Sequence, residues 1–381
     1  MKSLLLLPTL IFAAGCGLRA AEAVPPPLTN DVFVAGQGGV HTYRIPSMLI
    51  TPSGAALVFC EARKEGIQDA SPTDMVLRRS VDGGKSWLPT QTLVPGRGTD
   101  ALMNPVAVID RANGTILLMC CNTNRGERGE HRRHLLLTSR DDGQTWSAAA
   151  DIGKQIANYD DTFVPGPGCG IQTRSGRLVV PGYTSPPKME GDSEKGLHSR
   201  VVYSDDGGKS WRMGRALPED TNESQVVELA DGRLMLNMRQ AEGQSCRAVA
   251  FSANGGETWG PVTFDRALNE APCQASILRA SAAGPDGRSL IVFANPDNVG
   301  ARYGLEERSK MTVRVSYDEG RTWPVKKLIH AGPSSYSGLA QFPNGDVALV
   351  FEGGEKHRRE WIRFVRLPLA GLTPRLPGPR E

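Results

Sequence analysis

Three arginines, two carboxylates and a tyrosine make a set able to work on an anion: Arg44, Arg247, Arg308, Asp69, Glu223 and Tyr336. An arginine fork binds a carboxylate through two parallel hydrogen bonds, so three converging forks would hold an anionic substrate firmly. A tyrosine hydroxyl can act as a nucleophile once a base takes its proton, and carboxylates can give or take protons. Two competitors stand close by: Asp74 in the loop of Asp69, and Arg314 six residues beyond Arg308. Lone arginines at strand ends are otherwise ordinary solvated side chains. The set therefore has meaning only if the fold gathers residues spread from position 44 to position 336.

The elements that must gather them are repeats. Ser80-Val-Asp-Gly-Gly-Lys-Ser-Trp87 recurs at 139–146, 204–211, 252–259 and 316–323, as S-x-D-x-G-x-[ST]-W with Asn254 replacing Asp in the fourth copy. Internal repeats of this kind mark an array. A second repeat is a turn glycine before an apolar run, at Gly54, Gly114, Gly176, Gly232, Gly287 and Gly345. It counts six units with a period near 60 residues. Each unit has room for four short strands; in the first these are about 45–50, 56–61, 75–80 and one starting near Trp87. The expectation is an all-β fold, a six-bladed β-propeller of four-stranded antiparallel blades. A pair of β-sandwiches is the runner-up, and the period speaks against it.

Turns in an up-and-down blade alternate ends. The glycine turns and the octapeptides therefore share one face of the disc. The starts of the first strands and the loops between second and third strands share the other. Arg44, Asp69, Met103, Asn104, Glu223, Arg247, Gln274, Arg308 and Tyr336 all fall on that second face. The octapeptides read as structural staples, with Asp or Asn bonding its own turn and Gly supplying positive φ.

Tyr43-Arg44-Ile45-Pro46 followed by five such octapeptides resembles the exo-α-sialidase (neuraminidase) family, over about Val32 to Leu367. The octapeptides alone are weak support, because other propellers carry them. By that resemblance Arg44, Arg247 and Arg308 grip the sialic acid carboxylate, Tyr336 is the nucleophile, Glu223 takes its proton, and Asp69 is the acid/base. Tyr336 lies in Ser335-Tyr336-Ser337-Gly338-Leu339, without the family's usual Asp after the Ser. Arg63, Met103, Asn104, Tyr183 and Gln274 resemble positions lining the substrate pockets. The resemblance implies release of terminal α-linked sialic acid from glycoproteins, glycolipids or oligosaccharides by a retaining double displacement. It also implies a partly dry pocket that keeps Asp69 protonated. Two alternatives remain: a silent glycan-binding propeller, and an intramolecular trans-sialidase or a glycosidase for a related nonulosonic acid. No cofactor, metal or obligatory protein partner is expected.

Composition narrows the classes. The balance of 44 basic and 41 acidic residues, with no long run of one sign, argues against nucleic acid as a partner. Residues 1–23 read as an export signal, with Lys2, an apolar stretch at 4–14 and the small-x-small site Ala21-Glu22-Ala23. A lipid anchor on Cys16, in Ala14-Gly15-Cys16, is the second reading. Either way the expected location is outside the cytoplasm. The propeller is expected at 24–368 and a loose tail at 369–381. The other six cysteines sit mostly in apolar runs and read as buried thiols. Gly83-Gly84-Lys85-Ser86 lacks the upstream glycine of a phosphate loop, since position 79 is Arg. His131-Arg-Arg-His134 lacks metal-ligand spacing.

Overall fold

The computed structural model describes residues 24–122, 132–159, 162–184, 196–217, 221–240, 244–280, 290–303 and 306–373. The expected signal and Cys16 lie outside them. Every element longer than five described residues is a strand.

The first unit shows the pattern. Its strands are Thr42–Ile50, Ala56–Arg63, Thr73–Ser80 and Gln91–Val94, paired antiparallel in that order. The second strand, Ala-Leu-Val-Phe-Cys-Glu-Ala-Arg, is buried throughout. Apolar side chains on both faces suit a strand covered by a neighbouring sheet on each side. The fourth strand starts at Gln91, four residues beyond the expected Trp87, because Leu88 N first closes the turn onto Arg79 O.

Hydrogen bonds join the strands into two four-stranded sheets and sheets of five, six and seven strands. The seven-stranded sheet is two units sharing one chain segment, Val325–Gln341. Its first half pairs Ser309–Ser316, and from Ser334 onward it pairs Val347–Gly353. The innermost strands touch in a closed cycle: Val325–Gln341, Thr42–Ile50, Leu102–Asp110, Ile171–Gln172, Thr221–Glu228, Ser276–Ala280, and back. This is a β-propeller. The last unit takes its outer strand from the start of the chain, where Leu28–Val34 pairs antiparallel with Trp361–Leu367.

The octapeptides behave as staples. Asp206 Oδ1 accepts from Ser204 Oγ and from the Ser210 amide, at 2.8 and 2.9 Å. The box glycine lies against the preceding unit: a Cβ on Gly143 would sit 2.4 Å from Leu57 Cδ2, and one on Gly208 2.2 Å from Leu117 Cδ2. Only glycine permits that approach at these positive φ values (75° and 86°).

The core continues past the expected boundary at 368. Leu372 is fully buried and its carbonyl accepts from Tyr317 Oη, so residues 369–373 belong to the packed body and not to a loose tail. All six described cysteines are free, and five of them are buried.

Candidate active site

The first strands break their register at the same place in four units. The pairing skips two residues between Arg44 and Ser47, Met103 and Val106, Thr221 and Ser224, and Ser334 and Ser337. Such bulges re-aim side chains and recur beside functional sites. Glu223 and Tyr336 occupy the same position in two of them.

Two bulges need a left-handed residue, Ile45 (φ 59°) and Asn104 (φ 55°). This conformation costs a non-glycine side chain energy. Each freed amide meets a buried carboxylate of the preceding unit: Ile45 N donates to Glu352 Oε1 at 2.7 Å, and Asn104 N to Glu61 Oε1 at 2.9 Å. Glu61 and Glu352 each lie seven residues after a turn glycine, Gly54 and Gly345. The same position holds Cys121, Tyr183, Arg239 and Ala294 in the other units.

Tyr336 and Glu223 are both buried and meet directly. Tyr336 Oη donates to Glu223 Oε1 at 2.5 Å. Arg239 Nη1 lies 2.8 Å from Glu223 Oε2 and 3.3 Å from Tyr336 Oη. The Arg44 guanidinium sits 5.0 Å from the Tyr336 ring centre. Arg308 Nη1 donates to Ser335 Oγ at 3.4 Å. Burial and the Glu223 charge raise the Tyr336 pKa well above the ordinary phenol value, against the pull of Arg239, Arg44 and Arg308. The resting tyrosine is therefore neutral, with a base already on its proton.

The second arginine is a correction. Arg247 was expected beside Tyr336. It is fully buried behind the site, donating to Asn237 Oδ1 at 2.8 Å and Cys273 O at 2.9 Å and lying 3.3 Å from Glu270 Oε1. It sits on the third strand of its unit, Cys246–Ser252, one strand further from the axis than Leu234–Gln240. Arg239 is on the second strand and reaches the tyrosine. The glycine repeat carried the signal, because Arg239 shares the register of Glu61 and Glu352.

Arg44 donates to both oxygens of Glu352, at 3.1 and 3.3 Å. Burial opposes its charge, but Glu352, Tyr336, Asp69 and Glu61 together raise its pKa. Asp69 lies 2.8 Å from Arg63 and 3.7 Å from Arg44. Its side chain is 67% exposed, so the partly dry pocket expected around it is absent here. Arg63 is fully buried on Glu61 (2.6 Å) and holds Asp69 from beneath rather than lining an open pocket. The competitors are engaged elsewhere. Asp74 pairs with Lys64 at 2.8 Å, and Arg314 is buried on Asp297 at 2.8 Å.

Met103 is partly exposed, and Asn104 is buried with its Nδ2 left without a hydrogen-bond partner among the described residues. Burial, with Glu223 and Cys121 next, raises the Tyr183 pKa. Gln274 was expected to line a pocket. It is buried, accepts from Ser337 N and donates to Ser337 O, at 2.9 and 3.0 Å. It fixes the backbone after Tyr336. His134 is buried against Phe163 O, and burial pushes its pKa down to about 4. It fits the packing of its unit, and among the described residues no group of three or more His, Cys, Asp or Glu converges as metal ligands.

Comparison with known proteins places the chain among its relatives. The BNR repeat-like domain matches residues 55–349. A sialidase of Micromonospora viridifaciens is 35% identical over 97% of this chain and 60% of its own length. A Bacteroides fragilis sialidase is 31% identical over 85% of the chain and 62% of its own length. The chain thus spans about three fifths of those two relatives. Sialidase-3 of Mus musculus is 30% identical over 90% of this chain and 95% of its own length. Among solved structures, a Hadza microbial sialidase superposes with a TM-score of 0.79 at 29% identity, over 91% of this chain and 69% of the other. A leech intramolecular trans-sialidase has a TM-score of 0.74 at 18% identity, covering 92% and 71%, and shares the fold. With its repeat domain matched over most of the chain and near-full-length coverage of the mouse protein, the chain belongs to the BNR-repeat sialidase family.

Proposed function

We propose that this chain is an exo-α-sialidase, a six-bladed propeller that releases terminal sialic acid from glycans outside the cytoplasm. The observation that carries the reading is the 2.5 Å bond from Tyr336 to Glu223, with Arg44, Arg239 and Arg308 around it. A sialoside bears its carboxylate on the anomeric carbon. A carboxylate nucleophile would be repelled there, whereas a neutral phenol is not. Tyrosine-nucleophile sialidases are a recognised exception to the two-carboxylate scheme of glycosidases.

In the first step Tyr336 Oη bonds to the anomeric carbon as its proton passes to Glu223. The bond to the leaving oxygen breaks, and that oxygen takes the Asp69 proton. In the second step water attacks the same carbon and gives a proton to Asp69, while the departing Tyr336 recovers its own from Glu223. Two inversions give net retention. Asp69 is largely exposed, so a bound sugar would cover it and exclude water around it.

The test is release of sialic acid from a fluorogenic sialoside, with the first product followed by NMR. Wild type is expected to release the α-anomer, and Tyr336→Phe to lose on the order of 100-fold or more in kcat. No release between pH 4 and 8 would sink the reading. An anhydro first product would instead assign intramolecular transfer.

A further inference from the structure

Arg359 is a guanidinium that the proposed reaction does not use. It sits in the loop 354–360, between the second and third strands of the last unit and thus on the site face. The loop around it is tightly built. Gly354 N donates to Pro333 O, the Glu360 carboxylate accepts from the amides of Glu355, Lys356 and His357, and Arg358 pairs with Glu307. Ala35 N closes onto Glu360 O. Arg359 has no such partner. Its Nε is buried without a hydrogen-bond partner, and no acceptor or ion pair meets the side chain among the described residues.

Its surroundings are hostile to a cation. Burial, then Arg44 and Arg358, with Arg63 further down, press its pKa to about 10, and Glu352 opposes them. Glu352 is already shared by Arg44 and Ile45 N. A half-buried, uncompensated charge destabilises a fold unless something outside the fold pairs with it. Arg359 stays charged at neutral pH and remains partly exposed, so a ligand can reach it.

The position says which part of a ligand. Arg44 and Arg63 are the two arginines that hold Asp69. In the proposed reaction Asp69 protonates the leaving oxygen, so the leaving group lies on this side. We propose that Arg359 forms an anion subsite for a negatively charged leaving group, taking a carboxylate or sulfate on the sugar next to the one released. This rests on the sialidase reading for its orientation, and the experiment separates the two.

The first measurement compares sialyllactose, its sulfated counterpart and disialyllactose as substrates. The ratio of kcat/KM on a charged leaving group to that on neutral sialyllactose is expected to fall roughly tenfold in Arg359→Gln. An equal loss on all three, or no loss, overturns the subsite. A fall with the sulfated substrate alone assigns a sulfate, and a fall with disialyllactose alone assigns an inner sialic acid. The second measurement needs no turnover. Calorimetry of Tyr336→Phe, with and without Arg359→Gln, is expected to show a preference for the charged ligands that Arg359→Gln removes. If wild type hydrolyses nothing but this preference holds, the catalytic reading falls and the subsite stands. Equal affinity for charged and neutral ligands removes the subsite whatever the activity.

Discussion

Arg239 and Arg247 lie on adjacent strands of one unit, and only one of them touches the tyrosine. Their truncations should fail in different ways. Arg239→Ala is expected to lower kcat/KM on the order of 100- to 1000-fold, because it removes a charge held against Glu223 and Tyr336 and, in the proposed reaction, one that faces the substrate carboxylate. Arg247→Ala breaks a fully buried ion pair with Glu270 and should cost about 3–5 kcal/mol of stability. Steady-state kinetics beside thermal melts of the two variants check this, and the reverse pattern would restore Arg247 to the site. The sequence was readable for Arg44, Asp69, Glu223, Arg308 and Tyr336 because each stands at a strand start or in a loop whose face follows from counting turns. It misled at Arg247, since an arginine at the start of any strand on that face looks alike until the strand's distance from the axis is known. It misled again at Gln274, where an amide that clamps backbone and one that faces a ligand have the same letter.

At the scale of the element, the octapeptide turn makes acid stability a local matter. The hydroxyl and amide donors of Thr145 hold Asp141 at about 2; for Asp206, burial opposes the shift, and Ser210 and Ser204 together bring it to about 2. Both folded values lie below that of a free aspartate, about 3.9, so the folded chain binds fewer protons than the unfolded one. The stabilisation is complete above about pH 4 and is lost as the pH falls toward 2. Asn254 keeps the turn without titrating: its Oδ1 accepts from Ser252 Oγ and Thr258 N, while its Nδ2 donates to Thr258 Oγ1. Converting Asp141 and Asp206 together to Asn should therefore flatten the acid limb of the melting temperature between pH 4 and pH 2. An unchanged slope would show that the limb arises elsewhere. The bulges, by contrast, were illegible beforehand. A register shift depends on what the neighbouring unit offers, here Glu352 for Ile45 and Glu61 for Asn104.

At the scale of the molecule, the ring is held by few connections of long span. Deleting residues 24–36 would strip the partner from Trp361–Leu367 and leave an unpaired edge on Tyr336's own unit. Such edges recruit other chains. The deletion is expected to lower the melting temperature and to produce oligomers by light scattering; a monomer of unchanged stability would mean that the seventh strand of that sheet is dispensable. The pairing of Leu28 with Arg366 has a further consequence, in time rather than space. A ribosome that has delivered the chain as far as residue 350 has made every acid, base and arginine of the proposed mechanism. None can yet work together, because the unit holding Tyr336 still lacks its third strand and its first-made strand has nothing to join. Loop closure over more than 300 residues is slow compared with hairpin formation. The nascent chain therefore carries an unoccupied strand until Trp361–Leu367 has been made, and activity should appear only once that strand has paired.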